Sequence, residues 1–293
     1  MTKLLLLASL TLIVPGVLIG CSQQETSQEP VSDPASQTSG ETALDTTAET
    51  TEQPSGTLVL VANGEDFIRE GFTTKDGWRI DFENAFVTLD EVNAYQTEPP
   101  FDPDGAATLN ATQEIPLLQQ PTTVDLAKGA AETAPVPVTR KQAPQGTYNA
   151  IAWKVIPAET GPAEGSTILL KGTAQKEGRN VDFTISFDQP LAYTCGEYVG
   201  DERKGILTST EQAELETTLH FDHIFGDAET AAGDALNQDA VGFDPFAALA
   251  EGDSLNVDSN RLKAELSAQD YQKLLKAIAG LGHVGEGHCR LEN

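Results

Sequence analysis

The chain has 293 residues, with 18 Lys and Arg against 45 Asp and Glu and a formal net charge of −27. A surface this negative repels nucleic acid and anionic head groups, which excludes electrostatic binding to either. The chain holds 3 cysteines, 4 histidines and 1 methionine, which is Met1.

The N-terminus opens with Lys3 and an apolar stretch over residues 4–19, broken by Pro15 and Gly16. A spanning helix needs about 20 apolar residues. The stretch therefore reads as an export signal, residues 1–20, and not as a membrane span. It ends in Leu18-Ile19-Gly20-Cys21, which looks like a bacterial lipobox. On that reading Cys21 is lipidated and becomes the mature N-terminus. The protein is then anchored in the bacterial cell envelope, facing the periplasm or the cell exterior. The competing reading is an ordinary signal peptide with a chance cysteine.

Composition changes abruptly after Cys21. Residues 22–55 are mostly Ser, Thr, Gln, Glu, Pro and Ala, with seven acidic residues and no Lys, Arg or aromatic residue. Such a segment buries too little apolar surface to offset its ordering entropy. Residues 21–55 are expected to form an acidic, disordered tether reaching roughly 30 Å.

From residue 56 the signal is β. Thr57-Leu58-Val59-Leu60-Val61 is a strand, and Trp78-Arg79-Ile80-Asp81-Phe82 follows the Asp76-Gly77 turn pair. Phe86, Thr88 and Asp90 alternate with Val87, Leu89 and Glu91, as on a half-buried strand. Residues 96–110 form a Pro/Asp/Gly loop, and Val124-Asp125-Leu126 is a short strand. Residues 149–156 are stopped by Pro157. Residues 167–170 and 181–187 complete a hairpin that turns within 176–180. Short strands between turn signals predict a mainly β fold, with an antiparallel β-sandwich-like body over 56–200. Trp78 and Trp153 sit inside apolar strands. They read as core before they read as a sugar platform.

Residues 201–293 are expected to form a smaller α/loop part packed on that body. Leu215, Thr217, Leu219 and Phe221 alternate with Glu216, Thr218, His220 and Asp222, which predicts a strand with His220 and Asp222 on one face. A helix over 210–219 competes with it. Asp244 as cap and Pro245 at the first position predict a helix through 246–251. Ser267 with Asp270 opens another, with Tyr271, Leu274, Leu275 and Ile278 on one face, closed by Gly280.

If Cys21 carries lipid, Cys195 and Cys289 remain as an even pair in an oxidising compartment, and a disulfide between them is expected. For a loop this long the chain-entropy model gives roughly 4–5 kcal/mol.

All four histidines fall in two short motifs, His220-Phe221-Asp222-His223 and His283-Val284-Gly285-Glu286-Gly287-His288. Imidazole is the common ligand for transition metals at neutral pH. His220, His223, His283 and His288 are therefore candidate ligands. Asp222 and Glu286 would complete the shell or orient a ring from outside it. Residues three apart share a face on a helix but not on a strand, so the chain must bend after Phe221 for His220 and His223 to act together. Three or four imidazoles with a carboxylate suit Zn, Cu or Ni. A blue-copper centre with an axial Met is excluded, and Cys289 is a ligand candidate only if the disulfide is absent. In a filled site Zn–N distances are about 2.0–2.1 Å, and even in an empty site at least three of the four ring nitrogens should converge on one point and cluster within roughly 4 Å of one another. No Cys-x-x-Cys-His, His-Glu-x-x-His, Gly-x-Ser-x-Gly, phosphate-binding loop or dinucleotide fingerprint occurs.

The runs Leu-His-Phe-Asp-His-Ile-Phe-Gly-Asp, Gly-Phe-Asp-Pro-Phe-Ala-Ala-Leu-Ala and Leu-Gly-His-Val-Gly-Glu-Gly-His-Cys carry a resemblance. They resemble a group of uncharacterised bacterial secreted lipoproteins with Asp-His-Leu-Phe and Gly-His-x-x-Gly-Glu-Gly-His-Cys type motifs. The likeness is specific only for the C-terminal residues and implies no known activity. Some of that group carry an Asp-rich, calcium-like loop between the motifs. Here the stretch is Asp253-Ser254-Leu255-Asn256-Val257-Asp258, without the spacing or closing Glu of an EF-hand.

The leading expectation is an envelope lipoprotein that binds a transition metal and is not an enzyme. One alternative is a structural or protein-interaction lipoprotein with packed histidines. The other is a metal-dependent hydrolase with an open coordination position and a base such as Glu286.

Overall fold

One long strand, Arg79–Thr97, organises the larger sheet. Its buried residues change phase twice along its length. Ile80 is buried at an even position, Ala85, Val87 and Leu89 at odd ones, then Val92 and Ala94 at even ones again. Each change coincides with a register shift, at Phe82/Asn84 against the Ile168–Lys176 strand and at Asp90/Asn93 against Ala150–Val155. Glu91, with φ 45°, lies in the second. These are β-bulges, in which one extra residue flips the alternation and bends the strand.

The computed structural model describes residues 55–130 and 135–292. The expected export signal over residues 1–20, Cys21 and residues 22–54 of the expected tether lie outside the described residues. Among the described residues no helix is long and apolar enough to cross a membrane.

The bends let Arg79–Thr97 carry several partners on each edge. Leu89 pairs with both Thr122 and Val155, so those partners occupy opposite edges. One edge bears Phe72–Thr73, Thr122–Asp125 and Ala111–Leu118. The other bears Ile168–Lys176 and Ala150–Val155, which lead on to Arg179–Phe187 and Leu191–Cys195 respectively. The hairpin between Ile168–Lys176 and Arg179–Phe187 turns at Glu177 and Gly178, within the expected segment.

A second sheet runs in the order Gly287–His288, Gly282–Val284, Gln212–Leu219, Ser55–Asn63, Val136–Pro144. The fold is mainly β, as expected, with sheets that are mixed and not purely antiparallel. Ser55–Asn63 pairs in parallel with Gln212–Leu219, and Arg179–Phe187 with Ser254–Val257. The second pairing uses the Asp253–Asp258 stretch as a strand. Residues beyond 201 therefore enter both sheets. Ala111–Leu118 and Val136–Pro144 were not expected as strands. Each carries proline, which lacks a ladder donor and is tolerated on edge strands, and both occupy edges.

The core joins both sheets, with Leu58, Leu60, Val87, Leu89, Trp153 and Tyr193 among its buried side chains. Both tryptophans are core, Trp78 at 3% and Trp153 at 1% exposure. Phe225, Phe243 and Phe246 contact one another with centroids 5.8–6.1 Å apart, and Phe243 also meets Trp78 at 5.3 Å. This aromatic cluster anchors the segment after the first histidine motif.

Helix Ala268–Ala279 forms as expected. The Ser267 side chain accepts from the Asp270 N–H, and Gly280 ends the helix. The expected helix over 246–251 instead spans Asp244–Ala247, with Phe243 at the cap position. The Asp244 carboxylate is taken by Trp78 Nε1 at 2.7 Å and Lys176 Nζ at 2.9 Å, so it does not cap.

Candidate metal centre

The strand Gln212–Leu219 delivers the first motif. It ends one residue before His220, and the chain turns just after that histidine. The His223 N–H donates to the His220 carbonyl at 3.2 Å and Ile224 N–H to Phe221 at 3.0 Å, leading into the short helix Asp222–Phe225. Fully buried Ile224 and Phe225 hold that turn to the core. The bend required by three-residue spacing is therefore present. It falls at Phe221, whose φ −74° and ψ −14° are already helical, after the His220 N–H has continued the ladder to the Leu281 carbonyl, so His220 and Asp222 do not share a strand face.

The second motif is a tight hairpin. His283 pairs with His288 and Val284 with Gly287, leaving Gly285 and Glu286 as a two-residue loop. Gly285 has φ 57°, suited to the first loop position of a type II′ turn. A side chain there would also meet the Val199 carbonyl at 2.1 Å. Directly opposed residues of an antiparallel pair project to one face, and diagonal ones also reach each other. Thr218 pairs with His283, and the His220 N–H donates to the Leu281 carbonyl at 3.0 Å. His220, His283 and His288 thus meet on one face, at the end of the sheet.

His283 is the hub. Its ring centroid lies 4.0 Å from His220, 5.0 Å from His223 and 4.3 Å from His288. His220, His223 and His283 each offer a ligand atom, and the three atoms lie within 4.8 Å of one another, wider than the expected spacing of roughly 4 Å because the His220 and His283 rings are stacked. This histidine cluster is positioned to hold a metal. His288 is exposed and stands against the hub without joining the three clustered ligand atoms. The disulfide Cys195–Cys289 forms as expected. It ties the residue next to His288 to the larger sheet, with Cα atoms 4.3 Å apart. Cys289 is thereby removed as a metal ligand.

The buried rings are poorly satisfied. His220 is 7% and His283 2% exposed. Neither ring nitrogen of His283 makes a hydrogen bond of good geometry, nor does His220 Nε2. Burial holds His223 down at about 4, helped by the neighbouring charges of His220 and His288, with the Gly280 carbonyl opposing. His283 is depressed further by burial and by His220, His288 and His223. For His220 burial also acts downward, but Glu65, Asp222 and Glu286 outweigh it and leave the ring raised. A metal needs neutral imidazoles; burial favours that form for His223 and His283, whereas an ion must compete with a proton at His220.

Two clefts flank the cluster. One, of roughly 390 Å³, is lined by His220, Asp222, Glu286, Glu65, Asp66 and Glu70. The other, of similar size, exposes His223 and His288 beside Asp234, Asp239 and Lys276. Asp222 is largely buried, which raises its carboxyl, and its Oδ1 lacks a hydrogen-bond partner. Glu286 is exposed on the hairpin loop. Sequence reasoning missed Glu65, whose Oε1 lies 3.5 Å from His220 Nε2. The only local signal for it is the turn pair Asn63-Gly64 just before.

Fold and site together define a mainly β protein with a half-buried histidine centre. Compared with known protein families, curated proteins and solved structures, the chain matches none.

Proposed function

We propose that the protein is an extracytoplasmic lipoprotein, anchored through Cys21, that binds one transition-metal ion at His220, His223 and His283. The observation that carries this reading is His283, a buried imidazole with three other imidazoles around it and no hydrogen bond of good geometry at either nitrogen. Each unsatisfied buried polar group costs about 1–3 kcal/mol, which coordination would relieve. Histidines that merely pack a loop are expected to find their own backbone or side-chain partners. Neutral imidazoles with a nearby carboxylate suit Zn(II), Cu(II) or Ni(II). The acidic cleft beside His220 favours the approach of a cation and disfavours that of an anionic substrate, which supports binding over hydrolysis.

The test is metal analysis of protein purified without a polyhistidine tag, followed by calorimetric titration with Zn(II) and Cu(II). One ion per chain is expected, and no stoichiometric uptake of either would refute the reading. The anchor rests on Leu18-Ile19-Gly20-Cys21. Cys21→Ser is expected to block processing or shift the protein out of the membrane fraction. A processed, membrane-bound mutant would remove the lipid from the proposal.

A further inference from the structure

Resting on the metal reading above, we infer that Glu65 supplies the carboxylate ligand of the ion, on its acidic-cleft side. The argument starts from a distance. Glu65 Oε1 stands 3.5 Å from His220 Nε2, at the long end of hydrogen-bond distance. A charge-assisted hydrogen bond is normally about 2.7–2.9 Å long. Two ligand atoms of one tetrahedral Zn(II), each about 2.0–2.1 Å from the ion, lie about 3.3–3.4 Å apart. The observed spacing is closer to the edge of a coordination tetrahedron than to a short charge-assisted hydrogen bond.

The chain holds Glu65 in that position at some cost. Glu65 has φ 62°, a left-handed backbone conformation that L-residues with a side chain avoid. Its N–H donates to Asn63 Oδ1 at 3.0 Å, and Asn63 Nδ2 in turn donates to Glu216 Oε1 at 3.0 Å. Glu216 is 3% exposed and is paired with Lys204. The same Glu216 Oε1 accepts from Thr218 Oγ1 at 2.9 Å, and that hydroxyl accepts from the Gly285 N–H at 3.2 Å. One buried carboxylate therefore braces both the turn that presents Glu65 and the hairpin that presents His283. Asn63 and Glu216 are positioning residues, and Glu65 is the group facing the ion. One carboxylate with three neutral imidazoles leaves a bound divalent ion with a single net positive charge. Glu70 lines the same cleft and supplies the control.

The experiment uses Co(II) as a spectroscopic probe on the full, untagged chain. Wild type is expected to bind one Co(II) with visible ligand-field bands. Glu65→Gln should shift those bands and weaken binding about tenfold or more, while Glu70→Gln should do neither. If wild type binds no Co(II) or Zn(II), the metal reading itself fails. If wild type binds and Glu65→Gln leaves the bands unchanged, the ion is real and Glu65 is not its ligand, even if affinity falls. Should Glu65→Gln fail to fold, Glu65→Asp keeps the carboxylate but shortens its reach. Shifted bands there support coordination, and unchanged bands overturn it.

Discussion

The imidazole of His283 lies face to face with that of His220, ring centroids 4.0 Å apart and planes 9° from parallel. Imidazole lone pairs lie in the ring plane, so two near-parallel rings aim alongside each other and not at one point. The three ligand atoms lie within 4.8 Å of one another, whereas two ligands of one Zn(II) can be at most about 4.1 Å apart. Zn(II) is therefore expected to unstack His220 from His283 and draw the rings together. Imidazole ¹H–¹⁵N shifts before and after one equivalent of Zn(II) measure this. Unchanged shifts for both rings at full occupancy would place the ion elsewhere.

The hub and the rim should respond differently to truncation. His283→Ala removes a buried, clustered ligand and is expected to lower Zn(II) affinity at least about 100-fold, beyond the usual effect of a supporting residue. His288→Ala removes an exposed ring outside the clustered three and should cost about tenfold or less. Competition titration with a chelator of known affinity distinguishes the two. Equal losses would make His288 a ligand of the same rank.

Acid should weaken the metal-free fold. His223 is held near 4 by burial and by the neighbouring imidazoles, and His283 lower still, against an ordinary 6.5. Between those values the unfolded chain binds protons that the folded chain refuses, so stability from these groups is full above pH 6.5 and is lost as pH falls toward 4. His220 acts with the opposite sign. Burial lowers it but its carboxylate neighbours win, so its contribution is present below 6.5 and is lost as pH rises through its raised value. One pKa unit corresponds to about 1.4 kcal/mol, so the acid loss is on the order of a few kcal/mol. Urea midpoints at pH 7 and pH 5 should show it, and His223→Gln should shrink the difference. A pH-independent midpoint for both proteins would contradict it.

Gly285→Ala tests the hairpin. The added methyl would meet the Val199 carbonyl at 2.1 Å in a backbone with φ 57°. A loss of about 2 kcal/mol or more is expected from strain of this kind. Zn(II) affinity should fall with it, because His283 sits on the displaced strand. Thermal unfolding with and without Zn(II) reads both effects, and wild-type values would mean that the loop adapts freely.

Local patterning made much of the fold legible. Alternation in Phe86–Glu91, the Asp76-Gly77 turn and the Ser267 cap are decided within a few residues; the structure keeps the turn and the cap, and the alternation as far as Leu89, before the bulge at Glu91 resets it. The same reasoning stopped at Val136–Pro144 and Ala111–Leu118, whose prolines argue against a strand until the neighbours show them to be edges. It also misplaced the cap at Asp244, because Trp78 and Lys176 compete for that carboxylate across the fold.

Sequence by itself determined that the histidines are confined to two short motifs, that Cys195 and Cys289 form the pair left after Cys21, and that a Gly-rich turn carries the second motif. These are properties of composition and short spacing. Only the tertiary structure decided that the motifs meet, because the meeting depends on pairings between distant strands: Ser55–Asn63 with Gln212–Leu219 in parallel, and Thr218 with His283. Glu65 belongs to the same class. Among 45 acidic residues only the Asn63-Gly64 turn pair marks its neighbourhood, and that does not mark it as a ligand. What sets it apart is a left-handed backbone beside a buried ring that lies far away along the chain, and long-range packing alone creates that relation.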